Sequence, residues 1–225
     1  MRCEVDALLC DIDGTLVDST AAVNRSWTLW ANRHGYDPAR ILAVCHGRRS
    51  ADTLADFLPA DQVAAAAAEL HALEMADLES VIALPGAREL LQSLPMDRWA
   101  AVTSGDRELM PARLAAAHVP VPQIMVTAED VEQGKPDPQG YIRAAQLLGV
   151  DPERCLVIED APAGLKAGIA AGARVVAVAT SHPAAELFPI AHAVITDLSQ
   201  CAVTISDSGT MTVTLGDDAE VTVKT

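Results

Sequence analysis

Positive charge is scarce in this chain of 225 residues, where 16 Lys and Arg face 31 Asp and Glu. The formal net charge of -15 argues against nucleic acid and anionic membranes as partners, because both are themselves strongly negative. Lysine is the rarer of the two basic residues and stands only at positions 135, 166 and 224. A negatively charged substrate would therefore depend on a metal ion and a few basic side chains concentrated at one place.

Long apolar runs are also missing, although half of the residues are hydrophobic. No run reaches the length of a membrane span, and residues 1–4 lack the apolar segment of a signal peptide. The five cysteines are an odd number without metal-ligand spacing, and Cys10 and Cys155 lie inside apolar runs. We therefore expect buried thiols, a cytoplasmic location and a small-molecule partner, in a monomer or weak dimer.

Two carboxylates follow the first apolar run of the sequence, residues 5–10, which is typical of a buried strand. Asp11 and Asp13 stand two positions apart, and Gly14 allows a sharp turn directly after them. Ligands of open α/β sheets bind beyond the carboxyl ends of the strands. Two acids this close repel each other unless a cation or a shared proton lies between them. The pattern indicates a metal-assisted site with one carboxylate as nucleophile and the other as acid/base, and an acidic turn without chemistry is the alternative.

Three later segments argue against the acidic-turn alternative. Residues 102–105, Val-Thr-Ser-Gly, close a second predicted strand with a small hydroxyl and a glycine. Lys135 lies in a loop made rigid by a glycine and two prolines. Residues 157–164 close a third strand with Glu159 and Asp160, whose oxygens are ligands that a hard divalent cation prefers.

The remaining pattern predicts a helical insertion in an alternating α/β chain. Residues 17–85 have helical patterns throughout, whereas strands and helices alternate from residue 86 to about residue 200. Such alternation implies parallel strands with right-handed crossovers. We predict an α/β fold with a doubly wound parallel sheet, formed by a core of residues 1–16 and 86–200, an all-helical cap of residues 17–85 and a β extension of residues 201–225.

The C-terminal extension has a pattern of its own. Residues 202–215 alternate apolar and polar side chains around Asp207-Ser208-Gly209, which predicts a β-hairpin, and residues 221–223 can add a strand. We expect this hairpin to extend an edge of the main sheet, with an oligomer contact as the alternative. Residues 192–196 are expected to form an edge strand.

The four polar segments, in this order, resemble the four motifs of the haloacid dehalogenase superfamily over residues 3 to about 200. This resemblance implies a Rossmann-like core whose helical cap closes over the active site. Further segments resemble the branch of bacterial hexitol phosphatases and fungal 2-deoxyglucose-6-phosphate and glycerol phosphate phosphatases; they are residues 27–30, 46–49, 82–87, 101–105 and 134–141. The implied activity is a phosphoric monoester hydrolase acting on a small sugar or polyol phosphate.

The resemblance also implies catalytic roles for the motif residues. Asp11 would be the nucleophile that forms an aspartyl phosphate, and Asp13 would protonate the leaving group and then activate water. Lys135 would neutralise charge between Asp11 and the phosphoryl group. Ser104 and the Gly105 N–H would bind the phosphoryl oxygens.

Mg²⁺ is the cofactor that the resemblance implies. Its direct ligands would be Asp11, the backbone carbonyl of Asp13, and Asp160, with Glu159 acting through water or behind the direct ligands. For Glu159 the alternative is an acid at a helix N-terminus, favoured there by the helix dipole.

The predicted cap would supply specificity. Its basic residues all lie in its first half, and His46, Arg48 and Arg49 cluster beside Gly47, where they could reach the substrate. A solvated helix start is the alternative interpretation of this cluster. The other histidines, at positions 34, 71, 118, 182 and 192, are expected to be surface or packing residues.

Two other functions remain open on the sequence. A β-hexose phosphate mutase resembling β-phosphoglucomutase would use the same nucleophile, but that branch has a histidine where this chain has Val23. A non-catalytic binding or regulatory protein could keep the fold alone, yet it would be free to lose motif residues that are all present here. The cap contains no lysine, which excludes hydrolases that form a Schiff base through one.

Overall fold

Strands and helices alternate in this computed structural model, which describes residues 1–216 and 219–221. The strands are β1 (Arg2–Val5), β2 (Ala7–Cys10), β3 (Val17–Asp18), β4 (Ile82–Ala83), β5 (Trp99–Val102), β6 (Met125–Val126), β7 (Cys155–Glu159), β8 (Arg174–Val178), β9 (Ala193–Ile195), β10 (Cys201–Ile205), β11 (Met211–Leu215) and β12 (Glu220–Val221). The helices are α1 (Thr20–His34), α2 (Pro38–Leu42), α3 (Ser50–Ala55), α4 (Ala60–Met75), α5 (Ala87–Gln92), α6 (Leu109–Ala116), α7 (Gln139–Leu148), α8 (Pro162–Ala170) and α9 (Ala184–Leu187).

The main sheet has the strand order β12-β9-β8-β7-β2-β5-β6. β2 lies in its middle and pairs in parallel with both β5 and β7, so that Leu8 is in register with Trp99 and with Leu156. Every residue of β2, β5 and β7 is buried, which explains why β2 and β5 are unbroken apolar runs and why β7 is apolar up to its last residue, Glu159. The predicted α/β fold with a doubly wound parallel sheet is confirmed, and among the described strands of this sheet only β12 runs antiparallel to its neighbour.

The helices α1 to α4 are inserted between β3 and β4, as the sequence pattern predicts. Val17 pairs with Ala83 and Asp18 with Ile82, so the two chain connections to the insertion lie side by side. The insertion has a hydrophobic cluster of its own, which includes the buried residues Trp27, Trp30, Ile41, Leu54 and Leu70. We call α1 to α4 the cap and the main sheet with its helices the core, and we propose the division at residues 17 and 85 on this basis.

The C-terminal hairpin is present but does not extend the main sheet. β10 and β11 pair with each other, and β11 pairs with β1 in a separate sheet of order β1-β11-β10. β1 leaves the main sheet because the chain bends at Asp6, whose N–H donates to Arg154 O at 2.7 Å and whose carboxylate pairs with Arg154. The expectation that the hairpin extends the main sheet is therefore wrong.

The predicted edge strand at residues 192–196 is also corrected. β9 lies inside the sheet, because β12 pairs with it on the far side from β8. Of the predicted last strand, residue 221 belongs to β12 and residues 222–223 lie outside the described residues. Cys10 and Cys155 are buried and free, as expected, and so are the other three cysteines. No helix within 1–216 and 219–221 is both long and apolar enough to cross a membrane.

Candidate active site

The predicted motif residues meet at one end of the main sheet. Asp11 follows β2, Thr103 and Ser104 follow β5, Glu159 is the last residue of β7, and Asp160 follows it. Because these strands are parallel neighbours, their carboxyl ends share one edge. A cavity of about 510 Å³ opens there between core and cap, and all five of these residues line it.

Lys135 joins two of the carboxylates. Its Nζ donates to Asp11 Oδ1 at 2.5 Å, to Glu159 Oε1 at 2.6 Å and to Val102 O at 3.1 Å, so its three donors are used. Burial by itself lowers the pKa of Lys135, but Asp11 and Glu159 outweigh it and hold the pKa above its ordinary value. The lysine therefore remains a fixed positive charge beside Asp11.

Glu159 is saturated with hydrogen bonds. Its Oε1 also accepts from the Tyr141 hydroxyl at 3.2 Å, and its Oε2 accepts from the backbone N–H groups of Asp160 and Ala161. The latter two bonds lie directly before α8 and agree with the helix N-terminus interpretation. Glu159 approaches so closely that a Cβ at Gly164 would lie 1.6 Å from Oε1. Its position therefore suits an anchor for Lys135 better than a direct metal ligand.

The carboxylates fit a divalent cation. Asp11, Glu159 and Asp160 each offer an oxygen, and these oxygens lie within 4.8 Å of one another. Burial raises the pKa of Asp160, and the carboxylates of Glu159 and Asp11 raise it further. Burial also raises the pKa of Asp11, against the opposing effect of Lys135. A hard cation such as Mg²⁺ would stabilise the ionised form of both groups.

Several contacts of Asp160 were not found by sequence reasoning. The Thr15 hydroxyl donates to Oδ1 at 3.3 Å, and the Ser181 hydroxyl donates to Oδ2. Gly14, at φ +85°, allows this approach, because a Cβ there would lie 2.1 Å from Oδ2. Ser181 was beyond the reach of pattern reasoning, since it lies after β8 in a loop that carries no motif.

Asp13 is held by a residue that the sequence analysis also missed. The Arg113 guanidinium donates to Asp13 Oδ2 at 2.8 Å and to Glu74 Oε1 at 2.9 Å. Arg113 lies on α6 of the core and Glu74 on α4 of the cap. An arginine on a helix carries no sequence signal for this role, because only the packing of α4 on α6 brings the three groups together.

The hydroxyls after β5 have unequal roles. The Ser104 hydroxyl donates to Gly47 O of the cap at 3.0 Å. The Thr103 hydroxyl accepts from the Gly105 N–H at 3.0 Å and lines the same cavity. Thr103 is therefore a second candidate for phosphoryl binding, and it stands nearer in sequence to the Val102 carbonyl that Lys135 contacts.

The cap cluster lines the cavity, and its arginines are paired with acids. Arg48 pairs with Asp56 at 2.7 Å, whereas Arg49 pairs with Asp52 at 2.7 Å and also donates to Glu132 O of the core at 3.2 Å. Both arginines precede α3, with Arg49 at its N-cap position. Burial lowers the pKa of His46, which also lines the cavity, and a nearby histidine of the core, His182, lowers it further.

Two histidines to which the sequence assigns no functional role lie at the cavity. His71 on α4 contacts Asp106 Oδ2 of the core at 2.7 Å, and both His71 and His182 line the cavity. That they are surface or packing residues stays a prediction, since a residue that lines an open cavity can be either. His34, in contrast, pairs with Glu69 on the outer surface of the cap.

A buried carboxylate lies beside a lysine at the end of the sheet, next to further carboxylates that can bind a cation, and a helical cap covers them. This arrangement defines a class of hydrolase. The family model of haloacid dehalogenase-like hydrolases matches residues 5–172, and the chain belongs to this family. Hexitol phosphatase A of Escherichia coli is 46% identical over 79% of this chain and 84% of its own length. 2-deoxyglucose-6-phosphate phosphatase 2 of Saccharomyces cerevisiae is 37% identical over 88% of this chain and 90% of its own length.

The solved structures agree with this assignment. A hydrolase from Pseudomonas syringae superposes with a TM-score of 0.78 at 27% identity, over 87% of this chain and 94% of that one. The resemblance to the haloacid dehalogenase superfamily is thus confirmed. The two relatives from Escherichia coli and Saccharomyces cerevisiae carry names of the predicted phosphatase branch.

Proposed function

We propose that this protein is a Mg²⁺-dependent phosphatase that hydrolyses a small sugar or polyol phosphate through an aspartyl phosphate on Asp11. The observation that carries the proposal is the contact of 2.5 Å between Lys135 Nζ and Asp11 Oδ1 beside the carboxylate of Asp160. A buried carboxylate held by a fixed cation is poised to attack an anionic ester.

The chain's own residues account for the proton movements. Asp11 attacks phosphorus while protonated Asp13 gives its proton to the departing alkoxide, so that the substrate leaves as an alcohol. Asp13 then takes a proton from water, whose oxygen attacks the aspartyl phosphate and releases inorganic phosphate. Bound Mg²⁺, held by Asp11, Asp160 and the Asp13 carbonyl, would supply further positive charge to the phosphoryl oxygens.

The rest of the cavity suits a hydroxyl-rich substrate. Val23 and Trp27 form an apolar part of the cavity wall. His46, Arg48 and Arg49 add polar groups on the side of the cap. The cavity volume of about 510 Å³ exceeds the volume of a hexose phosphate. Any one of several small sugar or polyol phosphates can therefore fit. The two relatives named above, a hexitol phosphatase and a 2-deoxyglucose-6-phosphate phosphatase, support the same substrate class.

The test is phosphate release from a panel of sugar and polyol phosphates, with and without Mg²⁺. We expect turnover that requires Mg²⁺, with Asp11→Asn folded but reduced to the background rate, because an amide is not a competent nucleophile at phosphorus. Asp61→Asn, an exposed acid at the start of α4, is the matched control and should keep full activity.

The other outcomes identify the alternatives. Conversion of a β-hexose 1-phosphate to its 6-phosphate, without release of phosphate, would support a mutase despite Val23. Tight binding of sugar phosphates with no turnover of any would support a non-catalytic binding protein. Substantial activity in folded Asp11→Asn would refute the aspartyl phosphate mechanism.

A further inference from the structure

Arg113 is a buried cation that joins the cap to the core. Its side chain is 4% exposed, and that of its cap partner Glu74 is 8% exposed. Its Nη1 donates to Asp13 and its Nη2 to Glu74, at 2.8 and 2.9 Å. A buried ion pair that loses one partner is strongly unfavourable, because the remaining charge lies unpaired and away from water. The position of α4 and the position of Asp13 are therefore linked through one guanidinium.

The shape of the guanidinium makes this link directional. Its N–H groups point in fixed directions, so both bonds form together only when both carboxylates are in place. Asp13 Oδ2 accepts the bond from Arg113, whereas Asp13 Oδ1 is buried and has no hydrogen-bond partner among residues 1–216 and 219–221. The bond to Oδ2 leaves Oδ1 as the oxygen that can exchange a proton with the substrate.

We propose that Arg113 is a positioning residue that orients Asp13 for proton transfer only while Glu74 of the cap is docked on the core. The inference rests on the proposed function, in which Asp13 protonates the leaving group. The cap then contributes to the chemical step as well as to the choice of substrate. Loss of the Glu74 charge weakens one of the two anchors of Arg113 and lets Asp13 turn away from the ester oxygen.

The experiment compares leaving groups that need different amounts of proton donation. p-Nitrophenyl phosphate releases a weakly basic phenolate, whereas an alkyl phosphate releases a strongly basic alkoxide that must be protonated. Glu74→Gln keeps the shape of the side chain and removes its charge. We expect kcat to fall about ten-fold or more for the alkyl phosphate and less than about three-fold for p-nitrophenyl phosphate.

A second variant and two controls complete the design. Arg113→Lys keeps the charge but loses the two guanidinium nitrogens that donate to Asp13 and Glu74 together. It should therefore show the same selective loss of kcat on the alkyl phosphate. This variant also tests the proposal if Glu74→Gln does not fold. Glu69→Gln removes a charge from the outer face of α4, and Arg107→Ala removes an exposed arginine paired with Asp130. Neither control should change the ratio of the two rates. A series of aryl phosphates should show a steeper dependence of kcat on leaving-group pKa in Glu74→Gln than in the wild type.

Different results would overturn the role of Arg113 and the proposed function. The role of Arg113 would be overturned if Glu74→Gln and Arg113→Lys lowered kcat equally on both substrates, or by no more than Glu69→Gln does. A purely structural effect lowers the fraction of folded enzyme, which reduces the rate on both substrates by the same factor. If Asp13→Asn itself shows no selective loss on alkyl phosphates, the acid/base role of Asp13 is wrong and the inference falls with it. A wild-type protein that releases no phosphate would overturn both.

Discussion

At the scale of single residues, Gly14 shows how closely the site is packed. The backbone there has φ +85°, and a Cβ would lie 2.1 Å from Asp160 Oδ2. We expect Gly14→Ala to lower kcat/KM about a hundred-fold, because the methyl group displaces a proposed Mg²⁺ ligand by about 1 Å or more. The Mg²⁺ concentration for half-maximal activity should rise as well, and a Mg²⁺ titration of the rate measures both effects.

Gly35→Ala is the matched control for Gly14→Ala. Gly35 also has a positive φ, +74°, but no atom of a packed neighbour in the described part of the chain lies within 4 Å of its added Cβ. It should therefore lose only about 1 kcal/mol of unfolding free energy to backbone strain and keep its activity. Similar kinetics in the two variants would show that the approach of Asp160 to Gly14 does not matter for the reaction.

Arg49 and Arg48 test the role proposed for the cap cluster. Arg49 reaches the core through Glu132 O, whereas Arg48 turns to Asp56 within the cap. We expect Arg49→Ala to lower kcat/KM for sugar phosphates about ten- to a hundred-fold, the equivalent of one lost charged hydrogen bond of roughly 1.5–3 kcal/mol. p-Nitrophenyl phosphate should be affected much less, because it has no hydroxyls for the cap to recognise. Arg48→Ala is the neighbouring control, and an unchanged ratio of the two rates in both variants would leave the cluster as a solvated helix start.

At the scale of secondary structure elements, the C-terminal hairpin is part of the core despite its different sequence pattern. Met211, Val213 and Leu215 of β11 are buried in the same hydrophobic cluster as β2 and β5. We expect Leu215→Ala to lower the unfolding free energy by about 2–5 kcal/mol, as in other buried leucine sites. Ile205→Ala, on the exposed side of the same hairpin, should change it by less than about 0.5 kcal/mol.

Chemical denaturation measures both hairpin variants, and size-exclusion chromatography tests the oligomer alternative. If Leu215→Ala unfolds at the same denaturant concentration as the wild type, the hairpin does not belong to the cooperative unit. If Ile205→Ala changes the oligomeric state, the exposed face of the hairpin is a contact between copies of the chain.

At the scale of the whole molecule, several polar contacts hold the cap against the core. They are the bonds from Ser104 to Gly47, from Arg49 to Glu132, from Arg113 to Glu74 and between His71 and Asp106. Burial by itself lowers the pKa of His71, but the carboxylates of Asp106 and Glu108 outweigh it and raise the pKa above 6.5. We therefore expect the contact between the cap and the core at His71 to weaken as the pH rises.

The sign of this coupling follows from the raised pKa. The contact stabilises the protein fully below the unfolded pKa of about 6.5, and the contribution is lost as the pH rises through the higher folded pKa. We expect His71→Gln to flatten the decline of unfolding free energy as the pH rises above about 6.5, with an effect of less than about 1 kcal/mol because the pair is partly exposed. An unchanged pH dependence in His71→Gln would refute the coupling.

The sequence by itself determined the elements and the residues that follow the ends of strands. Asp11, Ser104, Glu159 and Asp160 could be placed at one sheet edge because parallel strands align their carboxyl ends, and the scarcity of lysine directed attention to Lys135. The helical insertion could be located because its apolar spacing differs from that of buried strands. These features depend on local periodicity and on a general rule of α/β sheets, which a sequence displays directly.

Only the tertiary structure decided which residues from distant elements complete the site. Arg113, His71 and Ser181 stand on a helix or in a loop with no motif, and each acquires its role from a partner at least 21 positions away. The course of β1 was likewise decided by Asp6 and Arg154, whose contact accompanies a bend inside the strand predicted at residues 5–10. A side chain's partner depends on how two elements pack against each other, and that packing is set by the whole core rather than by the sequence around the residue.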